Sequence, residues 1–571
     1  MRFAATILLA ALAALVVGCD EPAGVDASPV VAPDAGFDAP PAPSNLARVF
    51  ARDPISTPET IEVELASVAD DQSGALTSAA GPTGVRRIAA VSCVDEGRIV
   101  SMPGYGRQRV CTLRPLANKE ANGSFVYDDY ADDMACGYAP ENVHAEVNLY
   151  YHVDRIYDLI TAPEVGVFDQ LPGRHDVDGR PVPLTVVASY RWPTPADAAA
   201  LAPATVAFFT PHEHLDMGMD FFDGLLGVPG DVLVFGQGET ADFAYEAETV
   251  YHEFGHAVVN ATAALGQVFA DEQGLTNQPR ALNEGIANTF AFLGSDDHLL
   301  GTFLTACTGL GFEFDAANPA RFPDDLIGHP VADGDPVVGA SYDLYRAFVD
   351  EWGGTRAGFI RVLLLALQDL SFLEGKGTFA AYAEALLARL ATEGHADHVS
   401  EAEALLDAHG LRGSDREVDL TGASAADHRP LFMGCAIQEP WNTWMRVDLG
   451  SGAAPLATSY LRHRLTVPAG ATTVTLSARL ARAPSAMTEP GNWDYRLLVR
   501  RAGPIAYTFD ANGVATASQD EVIEAVITPG QGGASALATW TIAGLAGGST
   551  LHLQFVNLGL SEGVLADLAV E

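Results

Sequence analysis

The chain has 571 residues, of which 48% are hydrophobic and 19% charged, a balance typical of a globular protein with about two or three domains. It contains 74 Asp and Glu against 32 Lys and Arg, which gives a formal charge of −42, and Lys119 and Lys376 are its only lysines. This excess of negative charge, without a run of basic residues, excludes a nucleic acid as the expected partner.

Residues 1–18 have the pattern of an export signal. Met1 and Arg2 precede the apolar run 3–17, which is too short to span a membrane. The run leads into Val-Val-Gly-Cys, which resembles a bacterial lipobox. That resemblance implies a mature chain that begins at Cys19 and carries a lipid there. Such a chain is anchored, without spanning, at the bacterial cell envelope and faces the periplasm or the exterior. A plain secretory signal with an incidental cysteine is the alternative.

Two segments precede the helical part of the chain. Residues 19–45 are rich in Pro, Ala and Asp and show no periodicity, which predicts a disordered tether. Residues 46–144 contain short β-like runs between clusters of Gly, Pro and Asp, which predict an N-terminal β region. Within it, Cys93 and Cys111 flank an expected hairpin and are the first choice for a disulfide.

Helical periodicity dominates residues 145–413, which we predict to form one domain. Between its first two helices lie strand-like runs at 183–190 and 231–236. The predicted helices span residues 146–160, 245–265, 280–293, 341–351, 355–370 and 378–391.

The second of these helices carries a metal-binding pattern. Residues 251–259 are Tyr-His-Glu-Phe-Gly-His-Ala-Val-Val, and apolar residues recur around them at helical spacing. His252 and His256 are four residues apart and project from one helical face, so both imidazoles can reach one metal ion. Glu253 lies about 100° further round the helix, beside the position of a metal-bound water, where a general base is needed.

The third helix supplies a third ligand. Glu284 lies in the segment Asn-Glu-Gly at residues 283–285 and follows His256 by 28 positions. Two histidines and one glutamate leave the fourth position of a tetrahedral zinc ion open, which is the pattern of catalytic rather than structural zinc sites. A solvated glutamate at the start of a helix is the alternative for Glu284.

These motifs resemble those of the thermolysin-like and fungalysin-like zinc metallopeptidases, the gluzincins, over roughly residues 145–410. Residues 232–258 resemble the family's strand, glycine turn and HExxH helix, and residues 283–291 its third-ligand helix, with weaker support from 145–160 and 204–211. The resemblance implies an α+β fold with a gluzincin-type metallopeptidase domain, in which a mixed sheet packs against a helical lobe. It also implies one catalytic Zn²⁺ and a protein or peptide substrate.

The chain departs from the family around the metal. Asn288 stands where the family has an aspartate that hydrogen-bonds a zinc-bound imidazole, which implies the same supporting role with weaker zinc affinity. Residues 204–211 lack the asparagine with which the family holds the substrate backbone. Asp335 falls at the position of the histidine that stabilises the oxyanion in thermolysin-like enzymes. Tyr342 and His329 are the two candidates for that role, and a structural role is the alternative for each.

Strand signals return in residues 414–571, where β-like runs separated by Gly, Pro and Asn predict a C-terminal antiparallel β-sandwich. In residues 460–467, alternation places His463 on the inner face and Arg462 on the outer face. Nothing in this region resembles a metal or nucleophile motif. We therefore expect the sandwich to pack separately, so that a chain truncated near Gly413 keeps its zinc.

The sequence thus predicts a zinc-dependent endopeptidase that hydrolyses peptide bonds outside the cytoplasm. Zinc would polarise the scissile carbonyl and activate a water, and Glu253 would take the proton of that water and pass it to the leaving amine. A monomer is expected, and no motif supports an additional Ca²⁺ site. The alternative function is a non-catalytic surface-binding lipoprotein with a structural zinc site. The presence of Glu253 argues against it, because such a site needs no general base.

Overall fold

The computed structural model describes most of the chain after residue 44. Residues 1–18, residues 19–44 of the tether and the lipidation candidate Cys19 lie outside the described part. Within the described part, no helix is long and apolar enough to cross a membrane. The described residues are 45–69, 75–80, 86–102, 106–119, 124–127, 136, 143–171, 182–211, 226, 228, 230–266, 268–422, 430–434, 445–450, 452–481, 494–529, 535–559 and 563–571.

The fold is a mixed α/β fold with several sheets. Its longer helices follow the helical periodicity of the sequence and end within a few residues of the predicted limits. The helices are α1 (Val143–Ile160), α2 (Ala247–Thr262), α3 (Gln278–Ser295), α4 (Thr302–Thr308), α5 (Pro330–Asp333), α6 (Asp335–Arg346), α7 (Arg356–Leu370), α8 (Phe379–Thr392) and α9 (Val399–Ala408). A π-helical turn at Ala347–Glu351 continues α6. Helices α4, α5 and α9 are not predicted; α4 and α5 are so short that their residues show no clear period.

Strands alternate with helices in the first half of the chain. They are β1 (Leu46–Phe50), β2 (Thr60–Glu64), β3 (Ile88–Val94), β4 (Ile99–Met102), β5 (Gly106–Arg109), β6 (Thr112–Arg114), β7 (Leu184–Trp192), β8 (Thr194–Pro195), β9 (Ala202–Pro203), β10 (Ala207–Thr210), β11 (Val232–Gly236), β12 (Phe269–Asp271), β13 (Gly274–Thr276), β14 (Leu299–Leu300) and β15 (Phe314–Asp315).

A six-stranded sheet packs against helices α1 and α2. Its order is β10-β11-β7-β3-β6, with β9 paired to β7. The β3–β7 and β7–β11 pairs are parallel, and β6 and β10 are antiparallel to their neighbours. Strands β7 and β11 are buried along almost their whole length, which explains why apolar residues do not alternate with polar ones in β11 or in the first half of β7. Strand β10 forms one edge of this sheet.

This sheet crosses the predicted boundary between residues 144 and 145. Strands β3 and β6 fall in the predicted N-terminal β region, but β3 pairs directly with β7. A three-stranded sheet of order β4-β5-β8 crosses the same boundary. Helix α1 is tied to β3 as well, because buried Glu146 accepts a hydrogen bond from the Ser92 hydroxyl at 2.6 Å. Strands β3 and β6 therefore belong to the same sheet as β7, β10 and β11, a pairing that local sequence patterns do not reveal.

Residues after 414 form two packed sheets. The nine-stranded sheet contains β16 (Glu417–Asp419), β18 (Met445–Asp448), β19 (Ala453–Thr458), β20 (Arg462–Thr466), β22 (Tyr495–Arg500), β23 (Tyr507–Phe509), β24 (Ala515–Ala517), β25 (Glu521–Glu524) and β28 (Thr550–Asn557). The five-stranded sheet contains β17 (Leu431–Met433), β21 (Thr473–Ala481), β26 (Val526–Thr528), β27 (Ala536–Ala543) and β29 (Gly563–Val570), in the order β17-β29-β21-β27-β26. Trp540 of the second sheet packs edge-on against Phe555 of the first, with ring centroids 5.1 Å apart.

This sandwich does not pack separately, contrary to the expectation from sequence. The hairpin β12–β13 lies between α2 and α3 in the chain and packs against the sandwich. Arg416 pairs with Asp271 at 2.5 Å, and its backbone N–H donates to Gln273 at 2.9 Å. The backbone N–H of Leu275 donates to the Thr458 hydroxyl at 2.9 Å. Polar contacts therefore join the hairpin, which precedes residue 413 in the chain, to sandwich residues that follow it.

The same hairpin explains a second difference from the prediction. His463 is buried as predicted, but Arg462, predicted to face solvent, is only 7% exposed. Its guanidinium donates to Gln273 of the hairpin at 2.8 Å and to Asp415 at 2.6 Å. The hairpin therefore covers the Arg462 end of the face that the alternating pattern assigned to solvent, whereas Arg464 and Thr466 on that face stay exposed. Its Gln273 is one partner of the buried cation.

Two disulfides lie within the described part of the chain. Cys93 and Cys111 are bonded, as predicted from the hairpin between them. Cys136 and Cys307 form a second bond, which ties α4 to a segment that precedes α1.

Candidate metal centre

Helix α2 presents His252 and His256 on a partly open face. Their side chains are 20% and 13% exposed, whereas Val250, Phe254 and Val258 are fully buried in the hydrophobic core. The helical period separates the two faces. Because the apolar face is fixed in the core, both imidazoles are held in one direction.

Helix α3 approaches α2 closely enough to bring a third ligand to these imidazoles. A Cβ atom on Gly255 would lie 2.7 Å from the Cα of Ala287, so a larger residue would push the helices apart. Gly255 immediately precedes His256, and Ala287 lies about one helical turn after Glu284. The glycine therefore brings the histidines within reach of Glu284.

Three potential ligand atoms converge at this point. The Nε2 atoms of His252 and His256 are 3.1 Å apart, and Glu284 Oε2 lies 3.5 Å from the first and 3.7 Å from the second. Among the residues that the structure describes, this is the one group of three His, Cys, Asp or Glu side chains whose ligand atoms lie within 4.8 Å of one another.

These separations fit a zinc ion. The point equidistant from the three atoms lies about 2.0 Å from each, and zinc bonds to imidazole nitrogen and carboxylate oxygen are about 2.0–2.2 Å long. Two nitrogen lone pairs and a carboxylate that face one another at such distances repel unless a cation or a proton lies between them. Two imidazoles and one carboxylate are also a donor set that suits zinc.

A side-chain amide orients each imidazole. His252 Nδ1 lies 2.8 Å from Asn288 Oδ1, and His256 Nδ1 lies 2.9 Å from Asn283 Oδ1. An Nδ1–H that donates to an amide oxygen leaves the Nε2 lone pair for a metal. Asn288 is in the position predicted from the sequence, but the role of Asn283 was missed. Its place immediately before Glu284, on the same helical turn, is the signal that could have revealed it.

The charge of Glu284 suits a metal ligand. Burial alone would raise the pKa of its carboxyl, but His256, His252 and His329 outweigh burial and lower the pKa to about 2. The carboxylate is therefore ionised throughout the neutral range, as metal binding requires.

Glu253 lies beside this group and is 6% exposed. Burial raises the pKa of its carboxyl to about 7, although His256 and the backbone N–H of Phe209, on the edge strand β10, act in the opposite direction. Its Oε2 atom is buried and has no hydrogen-bond partner among the described residues. A carboxylate oxygen in this state is ready to accept a proton or to hold a water.

His329 is the nearer of the two candidates for oxyanion stabilisation. It immediately precedes α5, and its imidazole interacts electrostatically with Glu284. Burial lowers the pKa of His329, while Glu284 raises it. The ring of Phe432, from strand β17 of the sandwich, packs against the imidazole with centroids 5.0 Å apart.

The structure does not bring Tyr342 to the metal ligands. Its ring packs against Phe292 at 5.5 Å and His298 at 5.9 Å, and its hydroxyl bonds Arg346. Phe292 is eight residues after Glu284 on α3, a distance of about 12 Å along a helix. Tyr342 is a candidate from the sequence because its helix resembles the one that follows the oxyanion residue in the family, but its ring faces the far end of α3.

Comparisons with known proteins do not assign the chain to a family. No protein-family model matches the chain, and no curated protein is similar to it. Among solved structures, the chain is similar to a precursor of protealysin, described as a metalloproteinase from Serratia proteamaculans, with 18% sequence identity and a TM-score of 0.32. The match covers 48% of this chain and 81% of that one. A likeness this weak carries no argument about the site, whose interpretation rests on its own geometry.

Proposed function

We propose that this protein is a zinc-dependent endopeptidase that hydrolyses peptide bonds outside the cytoplasm, where the lipid on Cys19 anchors it to the cell envelope. The observation that supports the reaction best is the position of Glu253. A structural zinc site needs only ligands, whereas this one has a buried carboxylate with an unpartnered oxygen next to the three ligand atoms.

His252, His256 and Glu284 would hold the ion. Zinc, when bound, would lower the pKa of a water and polarise the scissile carbonyl. Glu253 would accept a proton from the attacking water through Oε2 and then donate it to the leaving amine. The raised pKa of Glu253, about 7, suits both halves of this transfer, because the group can gain and lose a proton near neutral pH.

Strand β10 would hold the substrate backbone. It lies at the edge of the six-stranded sheet with β11 on one side, and its register pairs Phe208 with Val234. The N–H of Gly236 donates to the carbonyl of Val206 at 2.8 Å. The backbone N–H and C=O groups of Val206 and Phe208 therefore face β11. The groups of Phe209 face the other way, and its N–H acts on Glu253. An extended peptide that pairs with this edge would pass the metal centre.

His329 would stabilise the oxyanion. Its imidazole interacts electrostatically with Glu284 and lowers the pKa of that carboxyl, which supports this role. From a position near the ligands, the imidazole could donate to the carbonyl oxygen of a bound peptide, where negative charge develops in the transition state.

The test is Glu253→Gln in the full-length protein. An amide cannot take the proton, so we expect hydrolysis of casein or a fluorogenic peptide to fall by at least about 100-fold, with one zinc per chain and an unchanged melting temperature. The exposed Glu384→Gln is the matched control and should retain full activity. A chelator should abolish wild-type activity, and zinc should restore it. Zinc-independent turnover, or full turnover by Glu253→Gln, would reject the proposal in favour of a structural zinc site.

A further inference from the structure

We infer that Phe432 of the C-terminal sandwich is a positioning residue for His329, so that the sandwich completes the metal centre of the helical part. The inference rests on the proposed function, because it assigns His329 the oxyanion role. It goes beyond that function by giving the sandwich a part in the reaction.

The side chain of Phe432 points away from its own sheet. In β17, Leu431 and Met433 are 4% and 2% exposed and lie in the core of the sandwich, whereas Phe432 is only half-buried. Successive side chains of a strand point to opposite faces, so Phe432 faces the helical part of the chain. Its ring meets His329 there, with a tilt of 55° between the two planes.

No hydrogen bond between His329 and another described residue fixes the imidazole. Its orientation therefore depends on packing, and the Phe432 ring is the aromatic surface against it. A half-buried imidazole with one open side can rotate about its side-chain torsions unless a neighbour blocks the alternative rotamers. Phe432 is in the position to do so.

The backbone holds the two residues together. The N–H of Phe432 donates to the carbonyl of Ile327 at 2.7 Å. Gly328 has a φ of +85°, and a Cβ atom there would lie 2.9 Å from the carbonyl oxygen of Phe432. The segment that leads to His329 is therefore in direct backbone contact with β17 and has no room for a side chain at Gly328.

The other side of this segment is tied to the ligand helix. Asp333 is 1% exposed and accepts hydrogen bonds from the N–H groups of Ile327, at 2.7 Å, and Gly328, at 3.0 Å. It also accepts from Asn277, the residue immediately before α3, the helix of Glu284. The His329 segment is thus fixed between the ligand helix and the sandwich, and Phe432 supplies the contact to the imidazole itself.

The test compares variants of β17 in the zinc-loaded, full-length protein. Phe432→Leu removes the ring but keeps an apolar side chain, Phe432→Tyr keeps the ring, and Leu431→Ala weakens the same strand from its core face. We expect Phe432→Leu to lower kcat about tenfold with KM within about twofold, because the oxyanion forms only in the transition state. Phe432→Tyr should retain wild-type kcat, and Leu431→Ala should lower the melting temperature without a selective loss of kcat.

A second measurement does not depend on activity. Diethyl pyrocarbonate modifies accessible imidazoles, and mass spectrometry of the His329 peptide gives the rate of its modification. We expect this rate to rise severalfold in Phe432→Leu and to stay at the wild-type value in Phe432→Tyr and Leu431→Ala. Zinc content should stay at one per chain in all of them.

The outcomes separate the two proposals. If Phe432→Leu matches Leu431→Ala in both kcat and the modification rate of His329, the positioning role is overturned. If the wild-type protein hydrolyses no peptide, the proposed function fails. The modification rates then still decide whether Phe432 holds the His329 ring, and equal rates would overturn that as well.

Discussion

The Oδ1 atom of Asn288 lies 2.8 Å from Nδ1 of His252, and Asn288 is 2% exposed. Its Nδ2 atom is buried and has no hydrogen-bond partner among the described residues. One ligand imidazole is therefore held by a neutral amide whose second group is unsatisfied. A carboxylate at this position would make the same bond and add a negative charge that favours a bound cation.

Asn288→Asp should therefore bind zinc more tightly, with a dissociation constant lower by about tenfold. Competition with a chromogenic chelator measures this constant. Without metal, the same variant should melt at a lower temperature than the wild type, because the new carboxylate is buried near Glu253 and Glu284. Asn288→Leu removes the bond to His252 and should weaken zinc binding by about 10–100-fold. An Asn288→Asp variant with weaker zinc affinity would show that charge at this position does not limit binding.

Loss of a ligand should remove the metal, and loss of the Tyr342 hydroxyl should not. We expect His256→Ala to weaken zinc binding by more than about 100-fold, because only two of the three ligands would be left. Tyr342→Phe is the matched control: its ring faces the far end of α3, so zinc content and kcat should equal the wild-type values. Metal analysis after dialysis and peptide hydrolysis measure the two effects. Stoichiometric zinc in His256→Ala would exclude the site, and a large loss of kcat in Tyr342→Phe would return that residue to the mechanism.

Glu146 predicts a dependence of stability on pH. Burial raises the pKa of its carboxyl from 4.5 to about 7, although hydrogen bonds from Ser92 and from the N–H groups of Leu116 and Ala117 act in the opposite direction. The folded state therefore binds this proton more tightly than the unfolded state. Its contribution to the free energy of unfolding is full below about pH 4.5 and is lost as the pH rises through about 7.

Glu146→Gln removes this titration. Between pH 5 and pH 8, the free energy of unfolding of the wild type should fall by about 2 kcal/mol more than that of the variant. Urea unfolding at the two pH values measures the difference. The exposed Glu384→Gln variant should keep the wild-type pH dependence. If Glu146→Gln keeps it too, the carboxyl of Glu146 titrates at an ordinary pKa in the folded protein.

Truncation after Gly413 should now give a result opposite to the one expected from the sequence alone. It removes Arg416, the partner of Asp271, and exposes Leu275, which is 3% exposed in the whole chain. It also removes the contact of Phe432 with His329. We expect the truncated chain to aggregate or to bind less than one zinc, as measured by size-exclusion chromatography and metal analysis. Residues 414–571 supplied as a separate chain should restore both properties. A truncated chain that is soluble and binds one zinc would show that the sandwich packs separately after all.

The convergence of His252, His256 and Glu284 could be predicted from the sequence because its geometry is local. A spacing of four residues on one helix already fixes two imidazoles on one face, and the short segment around Glu284 identifies the third ligand. The supporting bond of Asn288 follows from the same helical period. Asn283 lies on the same turn, immediately before Glu284, and that position is the sequence signal for its contact with His256.

The remaining features depend on contacts between distant segments. His329 and Tyr342 were equal candidates because only the packing of α6 on α3 shows which one is near Glu284. Arg462 was predicted to face solvent because alternation describes a strand, not the hairpin that covers it. The boundaries at residues 145 and 413 follow changes in local pattern, whereas the central sheet and the hairpin β12–β13 connect segments on either side of them.

The pairing of β17 with β29 affects the order in which the centre can form. Leu431 pairs with Leu565, so the strand that carries Phe432 is held only after a long stretch of chain has been synthesised and folded. Pairings between residues so far apart form slowly, because the entropy of closing the loop must be overcome first. We therefore expect His329 to be set in place late, after α2 and α3 have brought the three ligand atoms together. Under the proposed function, a newly made chain would stay inactive until the sheet that contains β17 has assembled.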